Sequence, residues 1–209
     1  MSPRLLVKVC GITSPEDACA AVEAGADAVG LVFWPGSPRV VSPGSARRIS
    51  DVVPPSIVRV GVFVDARAEE IARTVEAAGL DLVQLHGHEP PELIQALPRR
   101  AWKALRVGSG LTASDLAPWS AAAGVLLDTR VEGRPGGTGR VFDWALASPL
   151  RERIGFLVLA GGLDAGNVAR AVLALRPDGV DVSSGVESNP GRKDPAKLRA
   201  FVDAARRAS

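Results

Sequence analysis

The chain has 209 residues, 46% hydrophobic and 23% charged, with 22 Gly and 16 Pro spread along it; this composition suits one globular domain, 1–209, and excludes disordered, collagen-like and coiled-coil classes. The net charge is +2 with no block of Lys or Arg, so there is no electrostatic footprint for nucleic acid or an anionic membrane, and small anions are the partners left open. Two cysteines, Cys10 and Cys19, make neither a disulfide framework nor a four-ligand zinc site, and the apolar run at the N-terminus breaks at Lys8, too early for a signal peptide, so a cytoplasmic location is expected.

In chain order, β-branched and aliphatic runs predict a strand over Leu5 to Cys10, then a helix opened by Ser14-Pro15-Glu16-Asp17 and closed at Ala24-Gly25, a capping serine, a first-turn proline and first-turn acids. A strand follows over Asp27 to Phe33, a helix over Pro43 to Val53, a strand over Ile57 to Val64 and a helix over Ala66 to Ala78. Next come a strand over Leu82 to His86, a helix over Pro90 to Leu97, a strand over Trp102 to Val107 and a weaker helix over Thr112 to Ser120 that carries Pro118. Strands over Gly124 to Asp128, Phe156 to Ala160 and Gly179 to Ser183 alternate with helices over Phe142 to Leu150, Ala165 to Leu175 and Asp194 to Arg207. Eight strand and helix units of roughly 25 residues predict an α/β fold, a single compact (β/α)8 TIM barrel. An open doubly wound sheet is the alternative, but such sheets usually stop at five or six strands.

A barrel of this kind carries its active site at the C-terminal ends of its strands. Those ends read Cys10, Phe33-Trp34, Val64-Asp65, His86, Arg106, Asp128, Gly161-Gly162 and Ser183-Ser184. Cys10 precedes a helix whose dipole would favour a thiolate, fit for a general base, against a reading as a small buried hydrophobe. Asp128 leaves the apolar run Val125-Leu126-Leu127, where burial would raise its pKa toward that of a general acid, against a reading as a cap. Facing one another, the two would titrate as a coupled pair. Gly161-Gly162 and Ser183-Ser184-Gly185 follow strands seven and eight, where barrels present backbone N–H groups to a phosphate. Arg39 follows strand two and suits a carboxylate, against a reading as a solvated arginine.

Gly108-Ser109-Gly110-Leu111-Thr112-Ala113 with Asp128 satisfies a loose dinucleotide fingerprint, but it sits in the middle of an eight-unit chain rather than opening a nucleotide-binding half. Val131 to Arg140 is glycine-rich without a Walker ending and suits a lid. His86 and His88 have no partners at metal-ligand spacing, so no metal is expected.

Taken together, Lys8-Val9-Cys10-Gly11-Ile12-Thr13, Gln84-Leu85-His86-Gly87, Leu127-Asp128-Thr129, Gly136-Gly137-Thr138-Gly139, Leu159-Ala160-Gly161-Gly162-Leu163 and Asp181-Val182-Ser183-Ser184-Gly185-Val186-Glu187 make the chain resemble the phosphoribosylanthranilate isomerase family over essentially its full length. The resemblance implies a cofactor-free Amadori rearrangement in tryptophan biosynthesis. Cys10 would be the base and Asp128 the acid. Arg39 would face the anthranilate, His86 and Asp181 would line the pocket, and Gly162 and Ser184-Gly185 would hold the phosphate; glycine content alone suggests that the Gly136 to Arg140 loop closes over the substrate. Such an enzyme acts as a monomer or a homodimer on a small phosphorylated substrate. The competing readings are another sugar-phosphate barrel, either a histidine-pathway isomerase with aspartates at strands one and six or an epimerase with metal-binding histidines, and a barrel that only binds a phosphorylated ligand.

Overall fold

The computed structural model describes residues 4–107, 111–128, 144 and 147–209. Eight parallel strands close into a barrel in sequence order: β1 (Leu6–Cys10), β2 (Ala28–Val32), β3 (Val58–Phe63), β4 (Leu82–Leu85), β5 (Ala101–Arg106), β6 (Gly124–Asp128), β7 (Leu157–Ala160) and β8 (Gly179–Val182). The seam between first and last strands is regular, with Leu6 opposite Gly179 and Lys8 opposite Asp181. Four of the crossovers contain α1 (Pro15–Glu23), α2 (Pro43–Val52), α3 (Ala68–Ala78) and α6 (Val168–Leu175), and α7 (Pro195–Arg207) follows β8. Ser14 Oγ accepts the Asp17 N–H and Ser42 Oγ the Ser45 N–H, each ahead of a proline in the first turn.

Two predicted helices fall short for reasons visible in their prolines. The Pro90 to Leu97 segment forms a 3-10 helix over Pro91–Ala96; Leu97 precedes Pro98 and is driven to an extended conformation. The Thr112 to Ser120 segment forms a single turn, α4 (Ala113–Leu116), and then a 3-10 turn over Ala117–Trp119, because Pro118 has no N–H to continue the ladder. Between β6 and β7, α5 (Ser148–Arg151) is described. The Gly136 to Arg140 lid, Gly108-Ser109-Gly110 and residues 142, 143, 145 and 146 of the Phe142 to Leu150 helix lie outside the described residues. A short antiparallel hairpin, β9 (Glu187–Asn189) with β10 (Arg192–Lys193), follows β8 and was not expected from the sequence. Among the described residues, no helix is long and apolar enough to cross a membrane.

Side chains alternate across each strand. One parity, including Val7, Val9, Val29, Leu31, Val83, Leu85, Leu127, Leu159 and Val180, packs outward under the helices in the main core. The other points into the barrel, where Ala28, Val60, Leu82, Trp102, Ala104, Leu126, Val158 and Ala160 form a second apolar cluster. The Trp102 and Phe156 rings stack within it at 5.7 Å. The same inward parity carries Lys8, Cys10, Gln84, Arg106, Asp128 and Asp181.

Lys103 has the outward parity, yet it is buried. Its ammonium donates to Glu89 Oε2 and to the Gly87 carbonyl, both at 2.6 Å, and lies 4.7 Å from the Trp119 ring centroid. Glu89 accepts the N–H groups of Gly87 and Asp65 in turn, so one buried pair fixes the loops after β3 and β4. Lys103→Met strands the Glu89 carboxylate in the core, and we expect a loss of about 3–5 kcal/mol, read as a lowered midpoint in denaturant.

Candidate active site

Closing the strands in order places the polar strand ends on one rim. Cys10, Arg39, Gln84, His86, Arg106, Asp128, Gly161, Gly162, Asp181, Ser183 and Ser184 all line a single cavity of about 330 Å³. Of the residues given a catalytic, substrate or phosphate role from the sequence, Cys10, Arg39, His86, Asp128, Gly161, Gly162, Asp181 and Ser184 reach it and Gly185 does not; of the other strand-end residues, Phe33 and Asp65 stay outside it. Gly185 packs instead against the backbone of Leu163, where a Cβ would overlap the Leu163 carbonyl oxygen. Its part is to let the loops after β7 and β8 lie side by side.

Around the rim the order is Asp128 on β6, Gly161-Gly162 after β7, Ser183-Ser184 after β8, and Cys10 on β1. The carboxyl and the thiol therefore flank the two glycine- and serine-rich loops. Gly161 and Gly162 adopt φ of +91° and +67°, a conformation that turns the chain back and that side chains resist. Asn167 Nδ2 donates to the Gly162 carbonyl and its Oδ1 accepts the Asp164 N–H, both at 2.9 Å, holding that turn.

Cys10 is 9% exposed, at the floor of the cavity. The expected help from the α1 dipole does not reach it: Gly11 to Ser14 intervene, and Ser14 caps that helix itself. Burial pushes the Cys10 thiol up, Lys8 and Lys193 draw it down, and Asp181 pushes it up again, so that the balance lies above its ordinary value. The thiol is thus the resting form, which corrects the expected thiolate. The neighbouring cation is Lys8, whose ammonium donates to Asp181 Oδ1 at 2.9 Å. Burial weighs against charge on Lys8, but the Asp181 carboxylate and the Cys10 thiol outweigh it and raise its pKa. Burial pushes the Asp181 carboxyl up against the pull of Lys8.

Across the cavity, Gln84 Nε2 lies 2.9 Å from His86 Nδ1, and His86 Nε2 lies 3.3 Å from Asp128 Oδ2. With the Gln84 amide donating to Nδ1, the imidazole keeps its proton on Nε2 and presents it to Asp128. Among the described residues, no three His, Cys, Asp or Glu side chains are grouped to hold a metal ion.

Arg39 does hold a carboxylate, but one from its own chain. Its Nε and Nη2 donate to the two oxygens of Glu187 at 2.7 and 2.6 Å, the bidentate geometry that guanidinium favours. Lys193 Nζ donates to Glu187 Oε1 at 2.9 Å, to the Cys10 carbonyl at 2.7 Å and to the Ser183 carbonyl at 3.2 Å. The β9–β10 hairpin therefore latches β1, β8 and the loop after β2 together. Sequence reading missed Lys8, Gln84, Glu187 and Lys193. For Lys8 and Gln84 the signal was there: each stands two residues before a candidate on the same strand, hence on the same face.

A (β/α)8 barrel that sets a carboxyl and a thiol on one rim beside two adjoining glycine- and serine-rich loops has the layout expected of an enzyme that moves protons on a phosphorylated sugar. Residues 7–204 match the family model of N-(5'-phosphoribosyl)anthranilate (PRA) isomerase. A Pseudomonas fluorescens (strain SBW25) N-(5'-phosphoribosyl)anthranilate isomerase is 50% identical over 97% of this chain and 96% of its own length. The crystal structure of the Thermotoga maritima phosphoribosyl anthranilate isomerase superposes with a TM-score of 0.91 at 45% identity, covering 96% of this chain and 98% of that one. A phosphoribosyl anthranilate isomerase solved in complex with reduced 1-(o-carboxyphenylamino)-1-deoxyribulose 5-phosphate follows, with a TM-score of 0.87 and 43% identity over 96% and 98% of the two chains. The chain belongs to the phosphoribosylanthranilate isomerase family.

The latch makes a signed prediction. Burial opposes ionisation of Glu187, but hydrogen bonds from Arg39 and Lys193 outweigh it and hold its pKa below the ordinary 4.5. A depressed carboxylate contributes stability that is present above its ordinary value and is lost as pH falls through the folded one. Glu187→Gln should therefore melt below wild type at neutral pH, and the gap should close as the pH drops below 4.5; a gap independent of pH in thermal melts contradicts this.

Proposed function

We infer that the chain catalyses the Amadori rearrangement of N-(5'-phosphoribosyl)anthranilate to 1-(2-carboxyphenylamino)-1-deoxyribulose 5-phosphate in tryptophan biosynthesis, residues 1–209 acting as one barrel domain. The observation that carries the reading is the rim order: carboxyl, two phosphate-type loops and thiol on consecutive strands of one cavity.

That order orients the substrate. A phosphate between Gly161-Gly162 and Ser184 sets the ribose between Asp128 and Cys10, which leaves the anthranilate ring toward Arg39 on the loop after β2. The edge of Arg39 carrying Nη1 meets the substrate carboxylate, since Nε and Nη2 are taken by Glu187. Gly185 supports the phosphate loop from behind through its contact with Leu163.

Asp128, protonated, gives its proton to the furanose ring oxygen as the bond from that oxygen to C1 breaks, and the nitrogen lone pair forms the C1–N double bond. Cys10, as thiolate, takes the proton from C2, the electrons of that C–H bond become the C1–C2 double bond of an enolamine, and the C1–N π pair returns to the nitrogen. The enolamine gains a proton at C1 and loses one from the C2 hydroxyl to give the ketone, so atoms and charge balance. His86, with its proton on Nε2, steadies the Asp128 carboxylate left after the first transfer.

Acid and base roles are each worth roughly 100- to 10,000-fold. Cys10→Ala and Asp128→Ala should each lower kcat by that factor in a fluorescence assay of freshly made phosphoribosylanthranilate, and activity that survives both removes this mechanism. Because the resting thiol is neutral, kcat/KM should rise with pH above neutrality as the thiolate forms. A profile flat between neutral and alkaline pH contradicts Cys10 as the base.

A further inference from the structure

Two opposite charges inside a barrel are costly unless they do something that hydrocarbon does not. An apolar cluster fills much of that interior, yet Lys8 is wholly buried and Asp181 is 8% exposed. Lys8 does not line the cavity, whereas Cys10 and Asp181 both do, so its ammonium touches the site only from beneath. Cys10 pairs in register with Gly30 on β2. A Cβ placed on Gly30 would lie 2.7 Å from Cys10 Sγ and 3.1 Å from Lys8 Nζ, so sulfur and ammonium share the notch left by that glycine.

We infer that Lys8 is a positioning residue for the isomerisation: held in place by Asp181, its ammonium is the counterion that lets the Cys10 sulfur carry negative charge when it takes the substrate proton. This rests on the reading of Cys10 as the base.

The charged neighbours of the sulfur support the assignment. From β1 comes Lys8, from β8 Asp181, from β10 Lys193 and from the loop after β2 Arg39. Lys193 is committed to two carbonyls and Glu187, and Arg39 is forked onto Glu187. Lys8 is the cation with the largest opposing pull on the Cys10 thiol. His86 and Asp128 act on Asp181 from the far side of the cavity. Asp181 has a second part, since its carboxylate fixes the ammonium at 2.9 Å and keeps the pair neutral overall.

The test titrates the thiol and measures turnover in the same proteins. Lys8→Met removes the charge, and Lys8→Gln removes it while leaving Asp181 a hydrogen-bond donor, which guards against a variant that fails to fold. A Cys19→Ser background leaves Cys10 as the reporting thiol, because Cys19 lies exposed on α1 away from the cavity. The ultraviolet absorbance of the thiolate is followed against pH, and kcat and KM are measured with phosphoribosylanthranilate. We expect the Cys10 titration to move up by about one unit or more, kcat to fall about tenfold or more, and KM to stay within about twofold. A thiol that titrates as in the parent overturns the inference, as does an unchanged kcat with a shifted titration. A parent protein that never turns over the substrate overturns the assigned function instead, while the titration still judges the coupling of Lys8 to Cys10.

Discussion

Lys8 and Asp181 meet across the seam that closes the barrel, and the chemistry of the mouth is built over that contact. The strands that carry them are the first and the last, and they pair directly in register. The ion pair thus joins the two ends of the sheet at the same level at which it sets the charge beneath Cys10. Replacing it with well-packed hydrocarbon would make the barrel no less stable on general grounds. On the reading of Cys10 as the base, its value lies in a thiol that rests neutral and ionises against a cation already in place.

Above this floor, buried charges tie the loops after β2, β3 and β4. The Lys103–Glu89 pair holds the loops after β3 and β4, next to His86. The Glu187, Arg39 and Lys193 cluster holds the loop after β2 against β1 and β8. Asn167 braces the turn after β7, and Gly185 lets the turn after β8 rest upon it. Four of the cavity's walls are therefore set before any ligand arrives, which lowers the ordering cost of binding.

The barrel was legible because eight apolar runs alternate with capped, amphipathic stretches, and polar residues at strand ends have no packing reason to be there. Cys10, Asp128, His86 and the two phosphate-type loops were visible on that ground. Pairings that depend on register were not. Lys8 reaches Asp181 across 173 positions of sequence, and only the closed sheet shows them opposite. The latch was hidden because its strands are three and two residues long, although Pro190-Gly191 marks the turn between them. The protonation of Cys10 was misjudged because a helix start is visible in sequence and burial is not.

The seam also has a temporal meaning. Arg206 on α7 donates to the Leu5 and Gly25 carbonyls and to Asp27, so the end of the chain is fastened to its beginning. During synthesis the thiol on the first strand emerges long before its counterion's partner on the last. Until β8 docks, Lys8 has no buried carboxylate to face and Cys10 lacks the loop after β8 beside it. The floor beneath Cys10 is therefore complete only when the ring is closed and the last strand lies beside the first.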